Sequence, residues 1–146
     1  MAVDSTNAAG EERLELSSRM ADLALVPPWI ERLASEYDLP GNIQFAMNLC
    51  LEEVLSNIIR HGYANQPGRP IFVSFRAAPG SSVLVIEDQA PLFDPLTAPE
   101  RPVEETLDGT RLGGLGIRLV RSFAASLAYE PTGMGNRLRI AFSTAA

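Results

Sequence analysis

The stretch Phe45-Ala46-Met47-Asn48-Leu49-Cys50-Leu51-Glu52-Glu53-Val54-Leu55-Ser56-Asn57-Ile58-Ile59-Arg60 decides how the rest of the chain reads. Phe45, Leu49, Val54, Leu55, Ile58 and Ile59 recur at helical spacing, which predicts a helix running to about His61. Leu39-Pro40-Gly41-Asn42 breaks the chain ahead of it, with Asn42 or Gly41 as the cap, and Gly62 stands in the place of a left-handed C-terminal cap. Glu53 and Asn57 fall four residues apart, so both side chains stack on one face, a turn apart. A carboxylate can take a proton, and a neutral amide oxygen can hold a hard cation. Two readings stand: a solvated polar stripe on an amphipathic helix, or two parts of one magnesium-nucleotide site. Glu52 is equally available as a surface carboxylate, so registry with Asn57, not charge, singles out Glu53.

Upstream, residues 1–11 are small and polar and read as a frayed tail. Arg13-Leu14-Glu15-Leu16-Ser17 alternates as a first strand. A helical pattern from Asp22 to Tyr37 carries Leu23, Val26, Ile30, Leu33 and Tyr37. Pro27-Pro28 leaves two options there: a regular helix beginning at the prolines, or a helix from Asp22 that is kinked.

Downstream, Tyr63 to Arg69 is a turn-rich connection. Ile71-Phe72-Val73-Ser74-Phe75 and Val83-Leu84-Val85-Ile86 flank a Pro79-Gly80-Ser81 turn and predict an antiparallel hairpin. The second strand is apolar on both sides, as a central strand should be. Asp88 to Leu112 carries Pro91, Pro95, Pro99 and Pro102 and no sustained periodicity, and loops of that length are often functional. Gly113-Gly114-Leu115-Gly116 then opens a third helix from Ile117 to about Ser126. Leu127 to Glu130 and Arg137 to Phe142 close the chain as a hairpin; Leu138, Ile140 and Phe142 share one side and Arg137 and Arg139 the other, which leaves part of one sheet face wet. The order β-α-α-β-β-loop-α-β-β predicts an α+β two-layer sandwich, with helices on one face of a mostly antiparallel sheet. A doubly wound parallel sheet fits poorly, and the whole reads as a single domain over residues 12–146.

Composition narrows the function classes. The chain has 146 residues, of which 46% are hydrophobic and 21% charged, which suits one soluble domain. It offers neither a membrane span nor a signal pattern, so a cytoplasmic protein is expected. Cys50 is the sole cysteine, which excludes an intrachain disulfide and cysteine-rich zinc ligation, and between Leu49 and Leu51 it reads as a buried thiol. A net charge of −6 argues against general nucleic-acid binding. A nucleotide needs only local donors and stays open.

Three further segments bear on chemistry. Gly113-Gly114-Leu115-Gly116 at a helix start suits an anion, because glycine allows close approach and the first N–H groups are free. It lacks the Gly-Lys-Ser/Thr ending of a P-loop and does not sit in a βαβ unit. Asp88 follows the central strand on the side of Leu84 and Ile86. It either accepts a hydrogen bond from an adenine amino group or starts a turn before Pro91. His61, the only histidine, reads as a capping or packing residue, and no serine sits in a nucleophile elbow.

The succession of these segments resembles the GHKL, or Bergerat, ATP-binding fold of gyrase, Hsp90 and histidine kinases. It is most similar to the single-domain branch, the anti-sigma-factor serine/threonine kinases of bacteria. The residues that carry the resemblance are Leu51 to Tyr63, Glu87-Asp88-Gln89-Ala90-Pro91-Leu92-Phe93-Asp94-Pro95, and Gly113 to Arg121. It implies ATP and Mg²⁺ as the cofactors. Glu53 would be the general base, Asn57 the magnesium ligand and Asp88 the adenine-reading carboxylate. Residues 96–112 would form the ATP lid, and Gly113, Gly114, Leu115 and Gly116 would lie beside the phosphates. The implied partner is an anti-sigma-factor antagonist, and through it a sigma factor; homodimers are common in the family. Arg60, His61 and Tyr63 belong to the motif without a chemical role. One departure concerns Ala90, which stands where the family usually has glycine, with Pro91 directing it to extended conformations. A second is the lack of a dimerisation helix with a phosphorylatable histidine, so the phosphoryl acceptor has to come from another protein. A nucleotide-dependent binding module without kinase activity is the alternative, favoured by Ala90-Pro91 and opposed by Glu53. A non-nucleotide interaction protein is the third reading.

Overall fold

The structure is a computed structural model; it describes residues 3–6, 10–96 and 113–144, with 3–6 and 113–116 described by their backbone alone. Its strands are β1 (Val3–Thr6), β2 (Glu12–Ser17), β3 (Pro70–Ala78), β4 (Ser81–Asp88), β5 (Ser126–Pro131) and β6 (Asn136–Ser143). They form one antiparallel sheet in the order β1-β2-β3-β4-β6-β5. The helices are α1 (Val26–Glu36), α2 (Gly41–Asn57) and α3 (Gly113–Phe123). This is the expected α+β sandwich.

Strand alternation builds the core. Leu14 and Leu16, Ile71, Val73 and Phe75, Leu84 and Ile86, and Leu138, Ile140 and Phe142 all point to the helical layer and are buried in one cluster with α1 and α2. Opposite residues are half-buried or exposed. There Arg13 lies over the Phe72 ring at 4.5 Å, and Arg137 bridges Glu87 and Glu130 at 2.7 and 3.1 Å. Such exposed pairs add little stability but keep the uncovered face polar.

Helix α2 touches the sheet, α1 and α3, so much of its surface is inside: Met47, Cys50, Leu51, Val54 and Leu55 are buried, as is the carboxylate-bearing Glu53. Burial pushes the Cys50 thiol up to about 12, which makes it inert at neutral pH. Phe45 belongs to the helical pattern yet stays exposed, edge-on to Phe123 at 5.9 Å.

Several expectations need correction. The N-terminal segment is not all tail, because β1 pairs with β2 at the sheet edge. At Pro27-Pro28 the first of the two expected options holds: a regular helix begins there, with the prolines in its first turn where the missing N–H costs nothing, and a 3₁₀ turn over Met20–Leu25 precedes it. Asp22 ties that turn to β2 by accepting from the Ser17 N–H and hydroxyl at 2.9 and 3.0 Å. Helix α2 starts at Gly41 with Pro40 as its cap residue and no side-chain cap. At its other end the α-helix stops at Asn57 and widens into a π-turn over Ile58–Gly62. The left-handed positions follow at Ala64 and Asn65, not at Gly62. Gly62 answers a need for space: a Cβ there would stand 3.1 Å from the Ala90 methyl. Helix α3 already begins at Gly113 and ends at Phe123, after which Ala125 donates to the Ala141 carbonyl and the chain enters the sheet.

The row facing α1 ends in a buried acid. Glu12 receives Arg32 at 3.1 Å and the Tyr37 hydroxyl at 2.8 Å. Removing it leaves both donors to a partly wet site, so Glu12→Ala should lower unfolding free energy by about 2 kcal/mol. Urea denaturation measures this, with Glu15→Ala, on the open face, as the near-neutral control.

Candidate functional site

Asp88 ends β4 on the buried face of the sheet, between Ile71 of β3 and Asn136 of β6. Only 7% of it is exposed. Its Oδ1 accepts from the Ala90 N–H and from Asn136 Nδ2, both at 2.9 Å. Among the described residues no donor reaches Oδ2. Burial raises the Asp88 pKa above the ordinary carboxylate value, and the Asn136 and Ala90 hydrogen bonds oppose that rise. The turn expected before Pro91 is therefore present, and it engages Oδ1 alone.

Three contacts hold the segment that follows. The Tyr63 hydroxyl accepts from the Gln89 N–H and donates to the Pro70 carbonyl, each at 2.7 Å. Asn136 Nδ2 lies 3.3 and 3.2 Å from the Ala90 and Pro91 carbonyls, and its Oδ1 accepts from the Phe93 N–H at 2.9 Å and from the Tyr129 hydroxyl. Gly135 packs so closely that a Cβ there would stand 2.1 Å from the Asp88 carbonyl oxygen. Tyr63, Asn136 and Gly135 were not legible as site residues. Tyr63 stands in the motif without a role, Gly135 in a turn, and Asn136 only as a polar residue just ahead of the last expected strand.

Ala90 is 4% exposed and not in the left-handed region, in line with the constraint from Pro91. Its methyl packs against Gly62. Glu53 is 9% exposed and Asn57 half-buried, while Glu52 is exposed. A solvated stripe therefore does not describe Glu53. His61 is exposed at the π-turn, and the described residues hold no group of three His, Cys, Asp or Glu side chains suited to a metal. Gly113, Gly114, Leu115 and Gly116 form the first turn of α3. The expected lid, apart from Leu96, lies outside the described residues.

A cavity of about 670 Å³, a size that suits a small ligand, has Gly62, Tyr63, Arg69, Ala90, Leu92 and Gly135 among its walls. Glu53, Asn57 and Asp88 do not line it. The placement of donors and acceptors, not this cavity, therefore identifies the candidate site.

The histidine kinase-like ATPase domain family matches residues 16–142, which include Glu53, Asn57, Asp88 and the start of α3. The chain belongs to that family. It is also 30% identical over 131 residues to the serine/threonine-protein kinase BtrW of Bordetella bronchiseptica, covering 88% of this chain and 91% of the relative. The family membership accounts for the sheet with its helices on one face. Among the described residues no helix is long and apolar enough to cross a membrane.

Two outcomes test the site's construction. Gly135→Ala forces the β5–β6 turn off the Asp88 carbonyl and should cost about 3 kcal/mol in denaturant unfolding, at the upper end for overpacking. Asp88→Asn should raise the melting temperature of the free protein near neutral pH. The sign follows from linkage: a folded-state pKa above the unfolded value gives stability that is present at low pH and lost as pH rises through the folded value. The gain should vanish in acid, and thermal melts across pH read it.

Proposed function

We propose that this chain is a cytoplasmic ATP- and Mg²⁺-dependent regulatory kinase that phosphorylates a serine or threonine of a partner protein, an anti-sigma-factor antagonist. Through that partner it would set whether a sigma factor is sequestered. The observation that carries the reading is the buried carboxylate of Glu53 one turn ahead of Asn57, in a chain of the ATPase family. The similarity to a protein named as a serine/threonine kinase supports the acceptor type.

The residues fit the group they would serve. Asp88 Oδ2 would accept from the adenine amino group, because Oδ1 is already engaged. The first turn of α3, built from Gly113, Gly114, Leu115 and Gly116, would offer backbone N–H groups to the phosphates. Asn57 would hold Mg²⁺ by its amide oxygen, and the ion would supply charge neutralisation on the phosphate oxygens. Glu53 would orient the acceptor hydroxyl and take its proton as that oxygen bonds to the γ-phosphorus and the bond to the β-phosphate oxygen breaks. Ala90 does not argue strongly for a binding module without transfer, since its methyl is packed on Gly62.

Magnesium-dependent ATP binding and phosphate transfer to a cognate partner test this together. Glu53→Gln should bind ATP as the wild type does and lose transfer by roughly a hundredfold or more. Asn57→Ala should lose the magnesium dependence of binding. Binding by the wild type without transfer would overturn the kinase reading in favour of a nucleotide-dependent binding module, and no magnesium-dependent binding would overturn both.

A further inference from the structure

The cavity that shares its walls with the Asp88 segment has a composition of its own. Of the residues that line it, Arg69 alone is charged and none is an acid, in a chain whose net charge is −6. Arg69 is exposed, its guanidinium lies 5.6 Å from the centre of the Tyr63 ring, and among the described residues it has no carboxylate partner. A planar guanidinium without an internal acid is free to take a carboxylate from outside.

The apolar part of the wall points the same way. Met134 and Leu92 are 70% and 64% exposed, more than any other large apolar side chain among the described residues, and both line the cavity. Phe93, next in the chain, is exposed as well. Single exposed apolar residues are ordinary, whereas several around one concavity mark a contact site. Gln66 and Gln89 also line it, and among the described residues their carboxamides have no hydrogen-bond partner. Each offers two donors and an acceptor, the complement of a peptide backbone. The frame around these groups is fixed, by the Tyr63 hydroxyl between Pro70 and Gln89 and by Gly135 against the Asp88 carbonyl. A site formed in advance loses little to ordering when it is occupied. A nucleic acid or an anionic membrane calls for several cations, and the walls carry one.

We propose that this cavity is a docking site for an acidic peptide segment of a partner protein. A carboxylate of the segment pairs with Arg69, an apolar side chain packs on Leu92 and Met134, and the Gln66 and Gln89 carboxamides bond its backbone. Glu53, Asn57 and Asp88 do not line the cavity, so the segment does not take the place of a nucleotide. The inference is independent of the kinase reading.

Two blocked peptides test it on the isotope-labelled full chain: acetyl-Asp-Leu-Asp-Phe-Asp-amide, and its counterpart with lysine in place of each aspartate. In NMR titrations the acidic peptide should shift the backbone amides of Gln66, Arg69, Leu92 and Met134, with a Kd of about 1 mM or tighter. The basic peptide should bind roughly tenfold more weakly or worse. No shift at these amides with about 5 mM acidic peptide, or equal binding of the two peptides, would overturn the proposal.

Arg69→Glu should exchange the preference, weakening the acidic peptide roughly tenfold and admitting the basic one. Met134→Ser should weaken the acidic peptide about threefold or more and leave the preference as it is. An unchanged affinity for the acidic peptide in either variant would also sink the idea, and the two peptides on wild type decide it should a variant fail to fold. Repeating the titration with saturating MgADP places the peptide: the same shifts support a separate site, and competition rules it out. Should wild type bind no MgADP, the nucleotide reading falls, while the peptide titrations still decide the docking site.

Discussion

A carboxylate cannot be taken out of water without hydrogen bonds to replace those it loses. Asp88 stands on the core face of the sheet, in register with Ile71 and Asn136, where the helical layer excludes solvent. Its position therefore requires donors, and the fold brings them from two sources: the Ala90 N–H immediately beyond β4 and the amide at the start of β6. Meeting that need bends the chain after β4 into a turn. It also sets how closely the β5–β6 turn must approach, which leaves only glycine at position 135. The neighbouring strand order β3-β4-β6 is what makes the arrangement possible, because residues far apart in sequence become direct partners across one ladder.

The second constraint is the burial of much of α2. A helix covered by a sheet and two other helices has little room for ionisable groups, yet Glu53 is kept there. Burying a carboxylate is costly, and a sequence that retains one in such a place is usually using it. The π-turn after Asn57 adds a second irregularity at the same end of the helix. Such turns are frequent at functional sites, and this one brings Tyr63 to the hydroxyl position that bridges β3 and the post-β4 segment.

Much of this was legible in sequence, and the limits have physical causes. Period-two alternation in Ile71 to Phe75 and Leu138 to Phe142 marked the buried face correctly, because a strand covered on one side has no other way to order its side chains. Asp88 was placed on that face by the same counting. Glu53 and Asn57 were paired by helical registry, but their burial was invisible, since it depends on α1 and α3 packing around α2. Gly62 shows the opposite failure: a glycine after a helix signals a left-handed cap, whereas here the helix widens first and the glycine is needed only to clear the Ala90 methyl. Asn136 was missed because a cross-strand partner has no local signature at a separation of nearly fifty residues.

The cavity and the buried carboxylate are best understood as sharing walls. The void is bounded by residues after the π-turn, by Gln89 to Leu92 and by the turn from Thr132 to Gly135. Those are the three connections that fix Asp88, through the Tyr63 hydroxyl, the Asn136 amide and the Gly135 contact. The exposed side chains of Leu92, Phe93 and Met134 cluster around the same connections, although the Phe93 backbone is pinned by Asn136. A shift of the Ala90 segment or of the start of β6 must lengthen a hydrogen bond on which the carboxylate depends, because a buried polar network cannot yield at one point without leaving another group unpaired. The rigidity of the Asp88 end of the site is thus a property of three loops acting together, and not of the strand that carries the aspartate.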